Sequence, residues 1–245
     1  MWTLGFDSTA STVSASLVND GHPIALYSAE SATSHSTTLL PAIEKLLTAA
    51  GISVKDLELI ACSAGPGSFT GVRIGVATAK GLAAPFDIPC IGVSSLEAMA
   101  YLYGEIPSYI CAALGARRGN VYASLFSSDG NGNITRITED DLISIEYMRE
   151  YVNSHIDPND SAKPLYIVGD TIDEISEVCS SCSSVRLSKT PALLSSPSGY
   201  GAALCGTKIF LSSDDKSVFT ENSLTPIYLR KSQAERERDE KKLSF

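Results

Sequence analysis

A strand followed by a tight hairpin and then by helix-strand units occurs twice along this chain, and that repeat restricts it to an α/β architecture of two similar halves. In the first half, Leu4 to Ser8 reads as a short buried strand ending in a polar turn, and Val13 to Leu17 alternates apolar with small or hydroxyl residues at period two. Asn19-Asp20-Gly21 supplies turn residues ahead of a third strand around Ile24 to Tyr27. Between Thr37 and Ala50, the residues Leu39, Leu40, Ile43, Leu46, Leu47 and Ala50 form a helical apolar stripe closed by Gly51. Pro41 suits a helix beginning near Thr37, because first-turn N–H groups have no intrahelical acceptor to lose. Leu57 to Ala64 is strand-like, Val72 to Ala84 reads as a helix rich in small residues, Cys90 to Val93 as a strand, and Ser94-Ser-Leu-Glu97 as a capping-box helix start. The second half repeats the order: strand Tyr109 to Leu114, hairpin Val121 to Phe126 and Ile134 to Ile137, helix Ser144 to Asn153, strand Leu165 to Val168, and a helix after Asp170. The expected division is a first lobe over residues 1–105, a smaller second lobe over 106–230, and a charged tail or helix over 231–245.

Length and composition agree with a globular chain of one or two domains: 245 residues, 44% hydrophobic and 19% charged. The formal net charge of −9 argues against direct nucleic-acid binding by this chain alone, since affinity for phosphates comes largely from Lys and Arg releasing counterions. No apolar run approaches the ~20 residues of a membrane helix. The N-terminus has no basic cluster ahead of an apolar stretch, so the expectation is a cytoplasmic protein away from membranes. Six cysteines (Cys62, Cys90, Cys111, Cys179, Cys182 and Cys205) are dispersed, as reduced thiols acting as small hydrophobes would be. Cys179-Ser-Ser-Cys182 has CxxC spacing without a second pair, and a reduced, solvated pair is weighed there against a zinc or redox role. At the end, Ala234 to Lys242 alternates charge and offers i,i+4 pairs such as Arg236 with Glu240, in a solvated helix, a frayed tail or a docking element.

The most informative stretch runs from Cys62 to Leu82 and contains Gly65-Pro-Gly-Ser-Phe-Thr-Gly71. Gly65 and Gly67 accept positive φ, so their backbone N–H groups can converge as an anion nest ahead of a helix N-terminus near Ser68. The loop lacks the Lys-Ser/Thr ending of a P-loop and the spacing of a dinucleotide loop. Two readings stay open, a tight structural turn and a phosphate cradle. Within the helix, Gly71, Gly75, Ala79 and Ala83 recur every four residues and leave one face nearly free of side chains. Glycine costs a helix about 1 kcal/mol relative to alanine, so a close packing partner is expected, either the chain's own sheet or a second protein.

His35-Ser36, Leu39-Leu40-Pro41, Gly65 to Gly71, Arg73-Ile-Gly75, Ala79-Lys-Gly-Leu82 and Gly92-Val-Ser-Ser-Leu96 together resemble the signature of the TsaB (YeaZ) family, with weaker support from Ala116 to Tyr122 and Pro226 to Arg230. Two positions depart from it: Gly115 stands where the family usually has Asp, and Asn120 where it has Glu. The resemblance implies an actin-like (ASKHA, ribonuclease H-like) two-lobed duplicated α/β fold. It also implies a non-catalytic paralogue of TsaD that binds TsaD through a helical interface and enables recruitment of the ATPase TsaE. On this resemblance the partner interface comprises His35, Leu39, Leu40, Ile43, Leu47, Phe69, Gly71, Arg73, Gly75 and Ala79, and the free protein forms a homodimer through the same surface. Gly75→Leu is then expected to abolish the heterodimer and leave the fold mostly intact. Phosphate or nucleotide contacts, where they form, fall to Asp7, Ser8, Gly65, Gly67 and Ser68. No cofactor is required, and ATP or ADP at the heterodimer interface is kept as an open alternative. His22, His35 and His155 have no HxxxH spacing, so no metal site is expected. Competing readings are an autonomous actin-like ATPase or peptidase, against which the absence of HExxH, GxSxG or a cysteine nucleophile motif counts, and a different binding module.

Overall fold

The computed structural model describes residues 1–30, 35–157, 163–182 and 185–229. The expected tail over 231–245 therefore lies outside the described residues.

The first sheet contains β1 (Trp2–Asp7), β2 (Thr12–Asn19), β3 (His22–Glu30), β4 (Leu59–Gly65) and β5 (Cys90–Ser94), in the order β3-β2-β1-β4-β5. Strands β1 to β3 form an antiparallel meander, while β4 and β5 join parallel to β1. The β2–β3 turn places Asp20 at φ 49° and Gly21 at φ 81°, the left-handed pair that a two-residue hairpin requires. The second sheet contains β6 (Ser108–Gly115), β7 (Asn120–Ser128), β8 (Ile134–Arg136), β9 (Asp141–Ser144), β10 (Pro164–Gly169) and β11 (Arg186–Leu187). Its order is β11-β10-β6-β7-β8, with β9 paired to β7. A meander followed by parallel strands is thus built twice, which is the duplicated, actin-like order expected from the sequence.

Helices α1 (His35–Ala50) and α2 (Phe69–Ala83) cover one face of the first sheet. On its other face lies α6 (Gly199–Ser212), and α3 (Ser95–Tyr101) sits between α6 and the second sheet. The far face of the second sheet is covered by α4 (Met148–His155) and α5 (Ile172–Cys179). The layers follow from burial: β4 sends Ile60, Cys62 and Ala64 toward α1 and α2, and Leu59 toward α6.

Residues 106–230 do not form the second lobe as a continuous piece, and this corrects the expected division. Helix α6 follows the second lobe in sequence but packs on β1, β2 and β4, and Leu224 is buried in the first lobe's core. The chain crosses to the second lobe and returns.

Arg136 ties the lobes together. Its Nη2 lies 2.5 Å from Glu97 Oε2 on α3, its Nη1 lies 2.6 Å from Asp140 Oδ1, and the guanidinium is 4.9 Å from the Phe126 ring. Ser94 Oγ donates to the other Asp140 oxygen at 2.6 Å. All three charged groups are shielded from much of the solvent, so removing the cation strands two carboxylates. Arg136→Met is expected to destabilise the fold by about 2–4 kcal/mol, whereas Glu97→Gln, which keeps Asp140 paired, is expected to cost about 1 kcal/mol. Urea unfolding midpoints of the two variants check this order.

Candidate functional site

The loop at Gly65 is shaped by what lies against it. Gly65 has φ 116° and Gly67 φ 154°. A Cβ on Gly65 would stand 2.3 Å from the Ile227 carbonyl oxygen, and one on Gly67 would stand 2.6 Å from that of Thr9. Ser68 N–H donates to the Thr9 carbonyl at 2.7 Å, and Ser68 Oγ caps α2 by accepting from Gly71 N–H at 3.3 Å. The loop is therefore occupied by the protein's own carbonyl groups, which is the tight-turn reading.

This corrects most of the expected phosphate contacts. Asp7, Ser8 and Gly65 are buried, and only Gly67 and Ser68 line the cleft between the lobes. Ser8 Oγ is spent donating to the Gly71 carbonyl at 2.9 Å. Asp7 Oδ1 accepts from both the N–H and the hydroxyl of Thr9, at 2.8 and 2.9 Å. Ser63 lies beside the same carboxylate and favours its charge, yet neither Asp7 Oδ2 nor Ser63 Oγ completes a well-formed hydrogen bond. Of the five expected contacts, Asp7, Ser8 and Gly65 are thus sealed and the Ser68 N–H is already engaged, so little of the expected phosphate cradle faces the cleft.

Burial raises the Asp7 pKa above the usual carboxylate value, with the nearby Ser63 hydroxyl and the two hydrogen bonds from Thr9 opposing the shift. A carboxyl that holds its proton more tightly when folded adds stability below its unfolded pKa, and that stability is lost as pH rises through the folded value. Asp7→Asn keeps an acceptor for Thr9 and removes the charge. It is expected to raise the melting temperature at pH 7 by a few degrees relative to wild type, with the gap closing toward pH 4; thermal scans at both pH values check it.

The small-residue face of α2 is sealed within its own lobe. A Cβ on Gly71 would stand 1.8 Å from the Ser8 carbonyl oxygen, and one on Gly75 2.9 Å from Ser8 Oγ. Ala79 and Ala83 are buried in the same core as Leu39, Ile43 and Leu47 of α1. Six of the expected interface residues, Leu39, Ile43, Leu47, Gly71, Gly75 and Ala79, are therefore core and cannot face a partner. The reason is phase: the periodic apolar positions point to the sheet, and the helix surface exposed to solvent is the complementary one.

His35, Leu40, Phe69 and Arg73 do reach the surface. Leu40 is 52% exposed beside Pro41, and Phe86, just beyond the end of α2, is 51% exposed. On its own outer surface α2 presents Ala77 and Gly81. At the other end of α2, the Arg73 guanidinium stacks 3.8 Å over the Phe69 ring and donates through Nε to Tyr228 Oη at 2.8 Å. Phe69 and Tyr228 are 5.0 Å apart, so the final described segment is pinned across the start of α2. Tyr228 was legible only as part of the Pro226 to Arg230 motif, and nothing local indicated its contacts.

This cluster forms one wall of an interlobe cleft of about 810 Å³, whose other side carries Gly115, Arg117, Tyr122 and Asp170. Gly115 N–H donates to Asp170 Oδ1 at 2.7 Å, and a Cβ on Gly115 would stand 3.6 Å from that oxygen. That distance is ordinary van der Waals contact, so a side chain fits there, but a carboxylate at position 115 would set a second negative charge beside Asp170. Asn120 Nδ2 donates to the Arg117 and Arg118 carbonyls, closing a turn in which both arginines are left-handed.

The thiols are chemically quiet. Burial pushes Cys90 up to about 11 and Cys179 up to about 12, and raises Cys62, Cys111 and Cys205 as well. Among the described residues no group of three or more His, Cys, Asp or Glu side chains is placed to hold a metal, and no helix is long and apolar enough to cross a membrane.

The family model described as TsaD: tRNA N6-adenosine threonylcarbamoyltransferase matches residues 29–237. The chain belongs to that family. Within it the likeness is to the TsaB (YeaZ) proteins. The chain is 38% identical over 134 residues to the tRNA threonylcarbamoyladenosine biosynthesis protein TsaB of Escherichia coli (strain K12), covering 54% of this chain and 58% of that protein. It is 36% identical over 145 residues to TsaB of Bacillus subtilis (strain 168), covering 59% and 63%. The chain thus spans about six-tenths of the length of these curated relatives. The structure titled YeaZ from Pseudomonas aeruginosa superposes with TM-score 0.70 at 22% identity over 93% of this chain and 99% of that one, so the two share the two-lobed fold.

Proposed function

We propose that this chain acts in the biosynthesis of threonylcarbamoyladenosine on tRNA as a non-catalytic partner of a TsaD-type transferase. The observation that carries this reading is the family match over residues 29–237 combined with the TsaB likeness. The site chemistry supports the non-catalytic part. Asp7 is sealed, the histidines lie apart on β3, α1 and α4, and the buried thiols hold their protons.

In this reading the first lobe presents the outward face of α1 and α2 to the catalytic subunit, with Leu40 and Phe86 as apolar anchors and His35, Phe69 and Arg73 at the rim. The buried glycine-alanine face keeps that surface rigid instead of forming it. The assembled pair then recruits the TsaE-type ATPase. ATP or ADP belongs to the assembled interface and not to the loop at Gly65 to Ser68. With a net charge of −9 the chain itself leaves tRNA to its partner.

Reconstitution tests the proposal. With the catalytic subunit, the ATPase and tRNA present, omission of this chain is expected to reduce adenosine modification by at least ~100-fold, the scale of losing several kcal/mol of organising contacts. Modification at an unchanged rate without it removes the reading. An autonomous ATPase would instead show turnover by this chain alone.

A further inference from the structure

Cys179-Ser-Ser-Cys182 brings two thiols close in sequence, and the fold keeps them close in space. Cys179 is the last residue of α5, and the Cys182 N–H donates to its carbonyl at 3.0 Å across Ser180 and Ser181. That bond closes a turn, which brings the two Cα atoms within roughly 7 Å, the outer limit of disulfide reach. Both side chains pack into the apolar cluster of the second lobe, and their thiols are hydrogen-bond neighbours. The pair is short of the four ligands that a structural zinc takes, because among the described residues no third His, Cys, Asp or Glu is placed with them to hold a metal.

The two thiols are not equivalent. Cys179 is 1% exposed and ends a helix, where the negative end of the dipole opposes a thiolate. Cys182 is half-buried, and its Sγ donates to the Arg149 carbonyl of α4 at 3.8 Å. The Arg149 guanidinium reaches the same turn, donating through Nη1 to Ser181 Oγ at 3.3 Å. Burial raises Cys182 too, but the Cys179 S–H and the Arg149 cation both favour its thiolate. A reagent from solvent therefore meets Cys182 first, with Cys179 behind it. Singly, burial quiets these thiols, but as a pair they have a route that neither has alone.

We propose that Cys179 and Cys182 form a reversible dithiol–disulfide site, oxidised by a low-molecular-weight disulfide with Cys182 as the entering thiol. The Cys182 thiolate attacks one sulfur of the reagent, forming a mixed disulfide and expelling a thiolate. Cys179 loses its proton to that thiolate and attacks the Cys182 sulfur, which closes the internal bond and releases the second reagent thiol. Two protein thiols are oxidised, and one reagent disulfide is reduced to two thiols. Proximity offsets the reluctance of Cys179 to ionise, since its sulfur already lies beside the one it attacks. The site lies on the far side of the second lobe, so it stands independently of the tRNA-modification reading and leaves the outward face of α1 and α2 free.

Glutathione disulfide is the probe. With a chelator present, the folded full chain is expected to lose two of its six free thiols, to show no intermolecular bond on a non-reducing gel, and to regain both thiols in dithiothreitol. Peptide mapping is expected to place the bond between Cys179 and Cys182. Cys179→Ala is expected to stop at a stable mixed disulfide carrying one glutathione, whereas Cys182→Ser takes up none at position 179. That asymmetry separates a working pair from two thiols that share a core. Acid-quenched time points of the wild type guard against a variant that fails to fold, because glutathione is expected on Cys182 before the internal bond appears. Six free thiols persisting in the oxidant-treated, folded wild type overturn the proposal, as does glutathione arriving first on Cys179 or a bond mapped to any other pair.

Discussion

Gly71→Ala is expected to unfold the first lobe, although it adds a single methyl group to a helix that alanine otherwise favours. The added Cβ would stand 1.8 Å from the Ser8 carbonyl oxygen, a backbone atom with no rotamer to retreat into. Neither side can move freely. Ser8 Oγ is tied to the Gly71 carbonyl, Gly71 N–H is capped by Ser68, and Ser68 N–H holds the Thr9 carbonyl. Overpacking of side chains typically costs 1–3 kcal/mol, and a clash with anchored backbone lies beyond that range, at about 4 kcal/mol or more. Against a total stability of about 5–15 kcal/mol, that leaves little folded protein at 37 °C. Gly81→Ala on the same helix is the control. No atom lies within 4 Å of its Cβ position, and it is expected to gain up to about 1 kcal/mol from helix propensity. Gly75→Leu, expected from the sequence to act as a clean interface probe, belongs with Gly71→Ala, because its Cβ alone would stand 2.9 Å from Ser8 Oγ. Urea denaturation followed by circular dichroism measures all three. A Gly71→Ala midpoint indistinguishable from wild type would show that the Ser8 carbonyl can yield to an added methyl group.

The same helix shows what the sequence could and could not reveal. Its glycine-alanine repeat correctly announces a close neighbour, because only a near approach compensates for glycine in a helix. It does not say whose backbone approaches. The neighbour is the loop after β1, more than sixty residues earlier, and Gly65 is likewise explained by Ile227 far downstream. Helix α6 was invisible for a related reason. Gly199, Gly201 and Gly206 depress its propensity, yet a Cβ on Gly201 would stand 2.1 Å from the Ala98 carbonyl oxygen, and one on Gly206 2.5 Å from Ala61 Cβ. Those glycines answer to the middle layer between the two sheets, which exists only once the chain has returned to the first lobe. By contrast, the hairpin at Asp20-Gly21 and the strand-helix alternation depend on local dihedral preference and periodicity, and both are where the sequence puts them. The stripe on α1 held a signal that was read too broadly. Leu39, Ile43, Leu46 and Leu47 share one face, while Leu40 is turned about 100° from Leu39 and lies outside it.

That difference between adjacent leucines makes Leu39 and Leu40 a sharp test of the partner surface. Leu40→Glu is expected to weaken binding to the TsaD-type subunit by ~100- to 1,000-fold, because a carboxylate buried in an apolar helical contact without a counter-ion costs about 3–4 kcal/mol. The free protein should melt at its usual temperature, since Leu40 is 52% exposed and touches no core. Leu39→Ala should show the opposite pattern. Its side chain is 1% exposed, and its loss should cost about 2–5 kcal/mol of stability, with binding affected only in proportion to the fraction unfolded. Phe86→Glu repeats the experiment at the far end of the proposed ridge, where the ring is 51% exposed. Titration calorimetry with the catalytic subunit, paired with thermal scans of each variant alone, separates the two effects. Full affinity in both Leu40→Glu and Phe86→Glu would move the docking site off these helices altogether. Loss of affinity in both, with melting unchanged, would place the contact on the outward side of α1 and of the turn that ends α2, where the first lobe's own packing leaves Leu40 and Phe86 uncovered.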